Sequence, residues 1–532
     1  MSGKTFQRVE SVGEKDTLKT VCVIGGGVAG LVTAKVLRTD GFDVTLFEKE
    51  PTIGGVWAES RAYPGLRSNN PRETYAFSDF DYPDSADEFP TAGQIRAYLE
   101  SYATHFGLWP HINLQSEVLS VSRREPASGK SQPGFRVKVR PAHTSEGDAF
   151  SESTALSESA EPSEYGESHN AAGSYDFDFV VICNGVFSEP YVPDIKGRDR
   201  FEGTILHSSQ FTDKDIVDGR KTVVVGAGKS ALDCATFAAE HAELTTLVFR
   251  KPHWMIPRYF GKTRVDDLFF NRFSEIFFPP YHNASGTEKA FRTVAYPLIR
   301  LWETVVNKIV IRQSKVPEKM VPEGSLVSGI ENNGIGVEFY RVLDNGRAAT
   351  KRADIASFSG NDILKLSTGE EIGADVVIFA TGWRQDVSFL DDDLRRLIRR
   401  DGWFQLYRHI LPPKEQRLGF VGYASSGNTP LTSEISAHWL SQHFRGELML
   451  PDASDMEQEI ERVRRWTQKV FPRRNSGYFI GAYISCYIDE LMKDMGLQTR
   501  RTGSFFREYW GAFRANRYKG VAEERMHSRK VR

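Results

Sequence analysis

The pattern of apolar and polar positions writes one grammar twice along the chain. Thr20-Val-Cys-Val-Ile24 is a short apolar run that ends at Gly25-Gly26-Gly27-Val28-Ala29-Gly30 and passes into a helical pattern from Leu31 to Thr39. After Gly41-Phe42-Asp43 a second apolar run, Val44 to Phe47, closes on Glu48. Strand, glycine turn, helix, strand is the order of a βαβ unit. The order returns at Lys221-Thr-Val-Val-Val225, Gly226-Ala227-Gly228-Lys229-Ser230-Ala231, a helix through Ala239, and a strand from Thr246 to Phe249 that ends in Arg250-Lys251.

Further elements fill the space between and beyond these units. Phe135 to Arg140 and Asp176 to Ile182 read as strands on either side of a Ser, Glu and Ala-rich tract at 144–173. That tract buries too little apolar surface to offset its ordering entropy, so a mobile insertion in a hairpin is expected. The run Ala374 to Phe379 leads into Ala380-Thr381-Gly382-Trp383 and closes the second unit. The remaining chain then has to return to the first domain and, from Asp452 on, reads as mainly helical with a basic, frayed tail. The predicted fold is α/β, with two Rossmann-like dinucleotide-binding domains and helical additions. The first domain spans 1–200 and resumes at 384–532; the second spans 201–383. Within the second, about 258–320 is richer in aromatics than a nucleotide domain needs. A helical insertion packed on the core is expected there, with a substrate-channel lid or a weak membrane-contact surface as functional readings.

Composition narrows the partners. With 68 Lys and Arg against 70 Asp and Glu, the net charge of −2 favours neither nucleic acid nor an anionic surface. The four cysteines, Cys22, Cys183, Cys234 and Cys486, form no Cys-x-x-Cys pair, which points to buried structural thiols, no metal site and a reducing compartment. A polar Met1 to Lys19 and the lack of a long apolar run make a cytoplasmic protein without a transmembrane segment the expectation.

The chemistry follows from the two glycine turns. Gly25 permits the tight turn, Gly27 lets the backbone approach a pyrophosphate, and Gly30 allows close helix packing. The helix N-terminus supplies amide hydrogens and partial positive charge to phosphates. Glu48 accepts from ribose hydroxyls and repels a 2′-phosphate, so the first site prefers FAD or NAD. At the second site Gly226, Gly228 and Ala231 form the alanine variant of the turn, and Arg250 stands where a carboxylate is missing. A guanidinium there pairs with a 2′-phosphate and selects NADPH. Two sites of opposite sign imply two dinucleotides, a flavin and its hydride donor.

Phe201-Glu-Gly203-Thr-Ile-Leu-His207-Ser-Ser-Gln-Phe211, between the two units, resembles the fingerprint of class-B flavin-dependent monooxygenases. Gly54-Gly55-Val56-Trp57 is similar to that family's G-G-x-W, Tyr63-Pro-Gly-Leu-Arg-Ser-Asn69 with Phe77-Ser-Asp-Phe80 to its flavin-side segment, and Phe379-Ala-Thr-Gly-Trp383 to its F-A-T-G-Y. The resemblance is to flavin-containing monooxygenases of fungal type. It implies FAD, NADPH and O2, a C4a-(hydro)peroxyflavin, a small-molecule substrate and a place in secondary metabolism. By the same resemblance Asn69 is the catalytic residue beside the isoalloxazine, Trp57 and Thr381 border the cofactors, Ser230 meets phosphate, Asp233 fixes its helix, and His207 links the domains. The helix after Gly422 to Pro430 is placed with its N-terminus at the flavin ring.

The substrate atom is read from departures. Phe211-Thr212 stands where Baeyer–Villiger enzymes typically carry Trp and then Pro or Asp, which favours oxidation at nitrogen or sulfur. Arg250-Lys-Pro-His-Trp254 and Pro257 resemble those same relatives, so oxidation of a ketone stays open as the alternative. A reductase passing electrons to a disulfide lacks its Cys-x-x-Cys, and a non-catalytic flavin-binding sensor is the reading outside enzymes. The aromatic insertion suggests a bulky apolar substrate.

Overall fold

The structure is a computed structural model that describes residues 6–7, 19–124, 133–142, 172–327, 333–472, 478–481 and 483–531. The Ser, Glu and Ala-rich tract, but for its last two residues, lies outside them.

Two parallel five-stranded sheets organise the chain. The first runs Leu418–Phe420, Phe179–Ile182, Thr20–Ile24, Asp43–Phe47, Ile112–Asn113, with Thr20 opposite Asp43 and Val21 opposite Phe179. Its strands are nearly unbroken apolar runs because both faces are covered. Val21 and Val23 pack with the helices Val28–Thr39 and Thr429–Phe444. Cys22 and Ile24 point the other way, into a core shared with the antiparallel sheet Ser116–Arg124, Gly134–Pro141, Gly173–Phe177. The edge strand Leu418–Phe420 comes from beyond the second sheet in sequence, so the chain leaves this unit and returns to it.

The second sheet repeats the plan in the order Thr204–His207, Val376–Phe379, Lys221–Val225, Leu244–Phe249, Ala348–Arg352. Val224 and Leu247 face the helix Lys229–His241, while Val223 and Val248 face a small antiparallel sheet that begins at Ile355–Phe358. Each sheet is thus a middle layer between helices and a three-stranded sheet.

Two expectations need correction. The insertion after Arg258 is helical and contains Gly286–Ser314, but only one side of that helix packs on the molecule. Ile299, Val306 and Val310 are buried, whereas Val294, Leu298 and Leu301 are 83%, 70% and 62% exposed. The C-terminal tail does not fray: Val521–Val531 is a helix, and Arg525, buried to 1% exposure, pairs with Asp40 and donates to His438 Nδ1. A charge that reads as solvated in sequence is sequestered by a carboxylate from the far end of the chain. No helix among the described residues is long and apolar enough to cross a membrane.

Candidate active site

A continuous cleft of ≈ 2070 Å³ runs between the two sheets and is lined by both glycine loops. A drug-sized ligand takes about 300–1,000 Å³, so there is room for two dinucleotides and a substrate. Val28, Lys229 and Thr429, the first residues of three helices, all line it. Each brings unpaired amide hydrogens and the positive end of a helix dipole to one space.

At the first loop Gly25 has φ +108°, and a Cβ there would stand 2.8 Å from the Cys183 carbonyl oxygen. Gly27 meets only Gly55 Cα, at 3.5 Å, so nothing in the protein fills its open side; a Cβ on Gly30 would fall on the Gly25 carbonyl. The Gly54-Gly55 pair folds back on this loop, with Gly54 N donating to the Gly26 carbonyl at 3.0 Å. Glu48 is buried; its Oε2 accepts from Gly26 N at 2.5 Å and its Oε1 from Glu50 N at 2.9 Å. Burial raises its pKa and these two backbone bonds oppose the rise. Each carboxylate oxygen keeps a lone pair that can accept from a ribose hydroxyl. Trp57 borders the cleft and is oriented by Nε1 donating to Tyr75 Oη at 2.9 Å.

Asn69 stands on the wall of the cleft and is exposed to it. Its neighbours are not: Ser68 and Asn70 are buried, Ser68 N donates to the Pro90 carbonyl at 2.9 Å, and Asn70 Nδ2 donates to Asp266 Oδ1 at 3.1 Å. Asp266 also accepts from Thr74 Oγ1 at 2.7 Å. A buried carboxylate of the aromatic insertion therefore holds the turn that presents Asn69. Sequence reading missed Asp266, because nothing local marks a partner nearly two hundred residues away.

At the second loop Gly226 has φ +143° and leaves no room for a Cβ, which would lie 2.5 Å from the Ala380 carbonyl; Gly228 has nothing within 4 Å. Ala231 is buried at the third position and Ser230 borders the cleft. Asp233 accepts from Lys229 and, at 3.0 Å, from Tyr63 Oη, so it fixes its own helix and ties it to the flavin-side segment. Arg250 lines the cleft with its side chain 79% exposed, and its Nε lies 3.5 Å from Asp354 Oδ1. A carboxylate does stand at this strand end, contributed by the turn after the neighbouring strand Ala348–Arg352 and invisible in the local sequence. Thr381 Oγ1 donates to the Tyr191 carbonyl at 2.5 Å.

His207 is buried outside the cleft wall. Ser209 N donates to its Nδ1 at 3.2 Å, which leaves the proton on Nε2 to be donated to the Gly382 carbonyl at 3.1 Å. Burial lowers its pKa, so the ring is neutral at pH 7. Phe211 is fully buried against Phe237 and does not reach the cleft.

The return loop closes the flavin side. Gly422, Ser425, Ser426 and Gly427 line the cleft, and Asn428 caps the helix Thr429–Phe444 through its Oδ1. Asn428 is fully buried, and its Nδ2 has no partner among the described residues. The first residues of three helices on the cleft wall, with open backbone at Gly228, fit anionic, acceptor-rich cofactors.

Comparison with known proteins decides between the flavoproteins that could use such a cleft. Residues 19–266 match the family described as "Pyridine nucleotide-disulphide oxidoreductase", and residues 345–507 match "Flavin-binding monooxygenase-like". These two matches and the relatives below support a class-B flavin monooxygenase. The chain is an NADPH-dependent flavoprotein monooxygenase that uses FAD. "Probable flavin-containing monooxygenase 1" of Arabidopsis thaliana is 28% identical over 546 residues, covering 96% of this chain and 98% of that one. "Flavin-containing monooxygenase 1" of Homo sapiens is 27% identical over 487 residues, covering 89% of this chain and 82% of that one. Among solved structures, cyclohexanone monooxygenase from Rhodococcus sp. Phi1 bound to NADP+ has a TM-score of 0.64 at 18% identity, over 90% of this chain and 97% of that one. S-allyl-L-cysteine S-oxygenase from Allium sativum has a TM-score of 0.58 at 20% identity, over 97% and 94%. At these identities the structures share a fold with this flavin monooxygenase.

Proposed function

We propose that this monooxygenase oxygenates a nitrogen or sulfur atom of a small organic molecule. One atom of O2 enters the substrate, the other leaves as water, and NADPH supplies two electrons. Bound FAD supplies the chemistry that passes those electrons to O2. The protein's work is to hold, orient and keep dry. The flavin unit is 1–200 with 384–532. Gly25, Gly27 and Gly30 shape its phosphate turn, Glu48 accepts from the ribose, and Trp57 and Asn69 face the reacting end. The NADPH unit is 201–383, with Gly226, Gly228 and Ser230 at the phosphates, Arg250 at the 2′-phosphate and Thr381 at the junction of the units.

The observation that carries the choice of atom is the charge around Asn69. Insertion beside a ketone carbonyl needs a nucleophilic, negatively charged oxidant, and a buried negative charge needs a cation against it. Asn69 offers an uncharged amide. Arg67 is paired with Asp87 at 2.6 Å, and the Arg61 guanidinium, which keeps its charge, is turned to the Phe187 carbonyl at 2.7 Å and the face of Trp383. A soft nucleophile needs no such cation. Relatives named "Dimethylaniline monooxygenase [N-oxide-forming] 2", from Mus musculus at 25% identity, agree with this reading. Phe211, which supports it in sequence, is buried away from the cleft and acts on the substrate, if at all, through packing.

The second reading is ketone oxidation, favoured by the Arg250 to Trp254 segment and the shared fold with cyclohexanone monooxygenase. Panels of tertiary amines, thioethers and cyclic ketones, offered with NADPH to the FAD-loaded protein, separate the two by product mass. Amine or sulfur oxides are the expected products; lactones or esters alone overturn the proposal.

A further inference from the structure

The cleft continues past the Asn69 turn into a vestibule walled by the aromatic insertion. Phe260, Phe269, Trp302, Val306, Val310 and Leu326 form this wall, and among the described residues of 256–335 none that lines the cleft carries a charge. The cofactor end of the same cleft is different in kind, with Glu48, Lys49, Arg250, Lys251 and Asp354 on its surface. The vestibule wall is a packed cluster, in which Val306 and Val310 sit against Trp254 and Trp302 stacks on Phe277 at 4.1 Å between ring centres.

One polar atom in this wall has no partner among the described residues. Asn333 Nδ2 donates to the Leu326 carbonyl at 2.9 Å, which fixes the amide, and its Oδ1 is buried and unbonded among them. A buried acceptor of this kind is satisfied by a ligand or water. The wall is also mechanically tied to the reacting end. Asp266, one helical turn before Phe269, holds the Asn69 turn through Asn70 and Thr74.

We propose that this vestibule is the substrate site. It takes an uncharged, apolar molecule with an N–H or O–H group for Asn333 Oδ1, and it rejects charged metabolites such as free amino acids, because no counter-ion stands among the described residues of the wall. The assignment rests on the monooxygenase reading and adds the class of substrate to it. Trp302, Val306 and Asn333 are the specificity-determining positions, with apolar fit supplied by the first two and orientation by the third.

The test uses the full-length, FAD-loaded protein and N-phenyl-1-naphthylamine, an uncharged fluorescent amine with one N–H. Saturable binding is expected, weakened tenfold or more in Val306→Phe, which fills the vestibule. Asn333→Leu is expected to weaken it about fivefold, with no such loss for the N-methylated probe that lacks the donor. Val294→Ser, on the outer face of the same helix, is expected to change nothing. If Val306→Phe does not retain FAD, the Asn333→Leu contrast between the two probes decides alone. Retained FAD with unchanged probe binding in the vestibule variants, or loss in Val294→Ser, overturns the site while leaving the monooxygenase reading intact. An unmodified protein that binds no FAD fails that reading instead.

Discussion

In the function proposed above Asn69 and Arg250 divide the work of the cleft, and each has a separate signature. Asn69 projects into the cleft from a turn whose flanking residues are buried and bonded, so it is a preorganised donor. Asn69→Ala is expected to lower oxygenated product per NADPH by roughly a hundredfold, the scale of one such donor. NADPH is still consumed and hydrogen peroxide appears, which a coupled peroxide assay reads directly. Arg250→Ala is expected to raise the KM for NADPH roughly tenfold, the scale of a charge-assisted hydrogen bond of about 1.5 kcal/mol, and to leave NADH unaffected. Asp354→Asn removes the carboxylate that competes for Arg250 and is expected to move the same ratio the other way. The glycines, Glu48 and Arg250 were legible in sequence because their constraints are local: a turn, a strand end, a charge sign. Asp354 and Asp266 were not, since each acts on a residue brought near only by the fold.

Among elements, the return helix Thr429–Phe444 departs most from a surface pattern. Almost every side chain on it is buried, so it shows no polar face, and its titratable residues are trapped inside. Burial lowers His443 from 6.5 to about 4; burial, then the Arg525 charge, drives His438 down as well. A histidine depressed in the folded state contributes stability that is present above 6.5 and lost as pH falls through its folded value. Glu434, which accepts from Ser78 N and Oγ at 2.7 and 2.6 Å, is pushed by burial and then by Asp79 from 4.5 to about 7. Its contribution runs the opposite way, present below 4.5 and lost as pH rises through 7. Within this helix two histidines against one glutamate leave a net loss on acidification, so its own contribution to the unfolding temperature is expected to fall between pH 6.5 and 4.5. Glu434→Gln removes the opposing group and steepens that fall; thermal scans across pH measure both slopes. Six of the ten strands in the two sheets were readable from their apolar runs, but the short or polar strands Ile112–Asn113, Thr204–His207, Ala348–Arg352 and Leu418–Phe420 were not, and the run Asp176 to Ile182 is divided at Asp178 between two sheets. The outer face of the insertion helix and the anchored tail were not, because exposure of Leu298 and burial of Arg525 depend on which neighbours the fold supplies.

On the scale of the molecule, two sheets of the same design face one cleft, and many of the polar links between their units run through the aromatic insertion: Asn70 to Asp266, Arg264 to Glu73 and Glu88, and Arg272 to Asp489 and Glu508. Away from the insertion, Tyr63 Oη to Asp233 ties the flavin-side segment to the second helix. Tyr63→Phe keeps the ring and removes one bond of about 1 kcal/mol. The rate of flavin reduction by NADPH is expected to drop a few-fold, as rapid mixing under anaerobic conditions would record. The central claim is that this flavin monooxygenase places oxygen on a heteroatom. Its most direct test is turnover of N,N-dimethylaniline by the FAD-loaded protein with NADPH under ¹⁸O2, followed by mass spectrometry. The expected product is the N-oxide with one ¹⁸O atom, formed in step with NADPH consumption. NADPH consumed with hydrogen peroxide as the sole oxygen product, while a cyclic ketone under the same conditions gives labelled lactone, contradicts it.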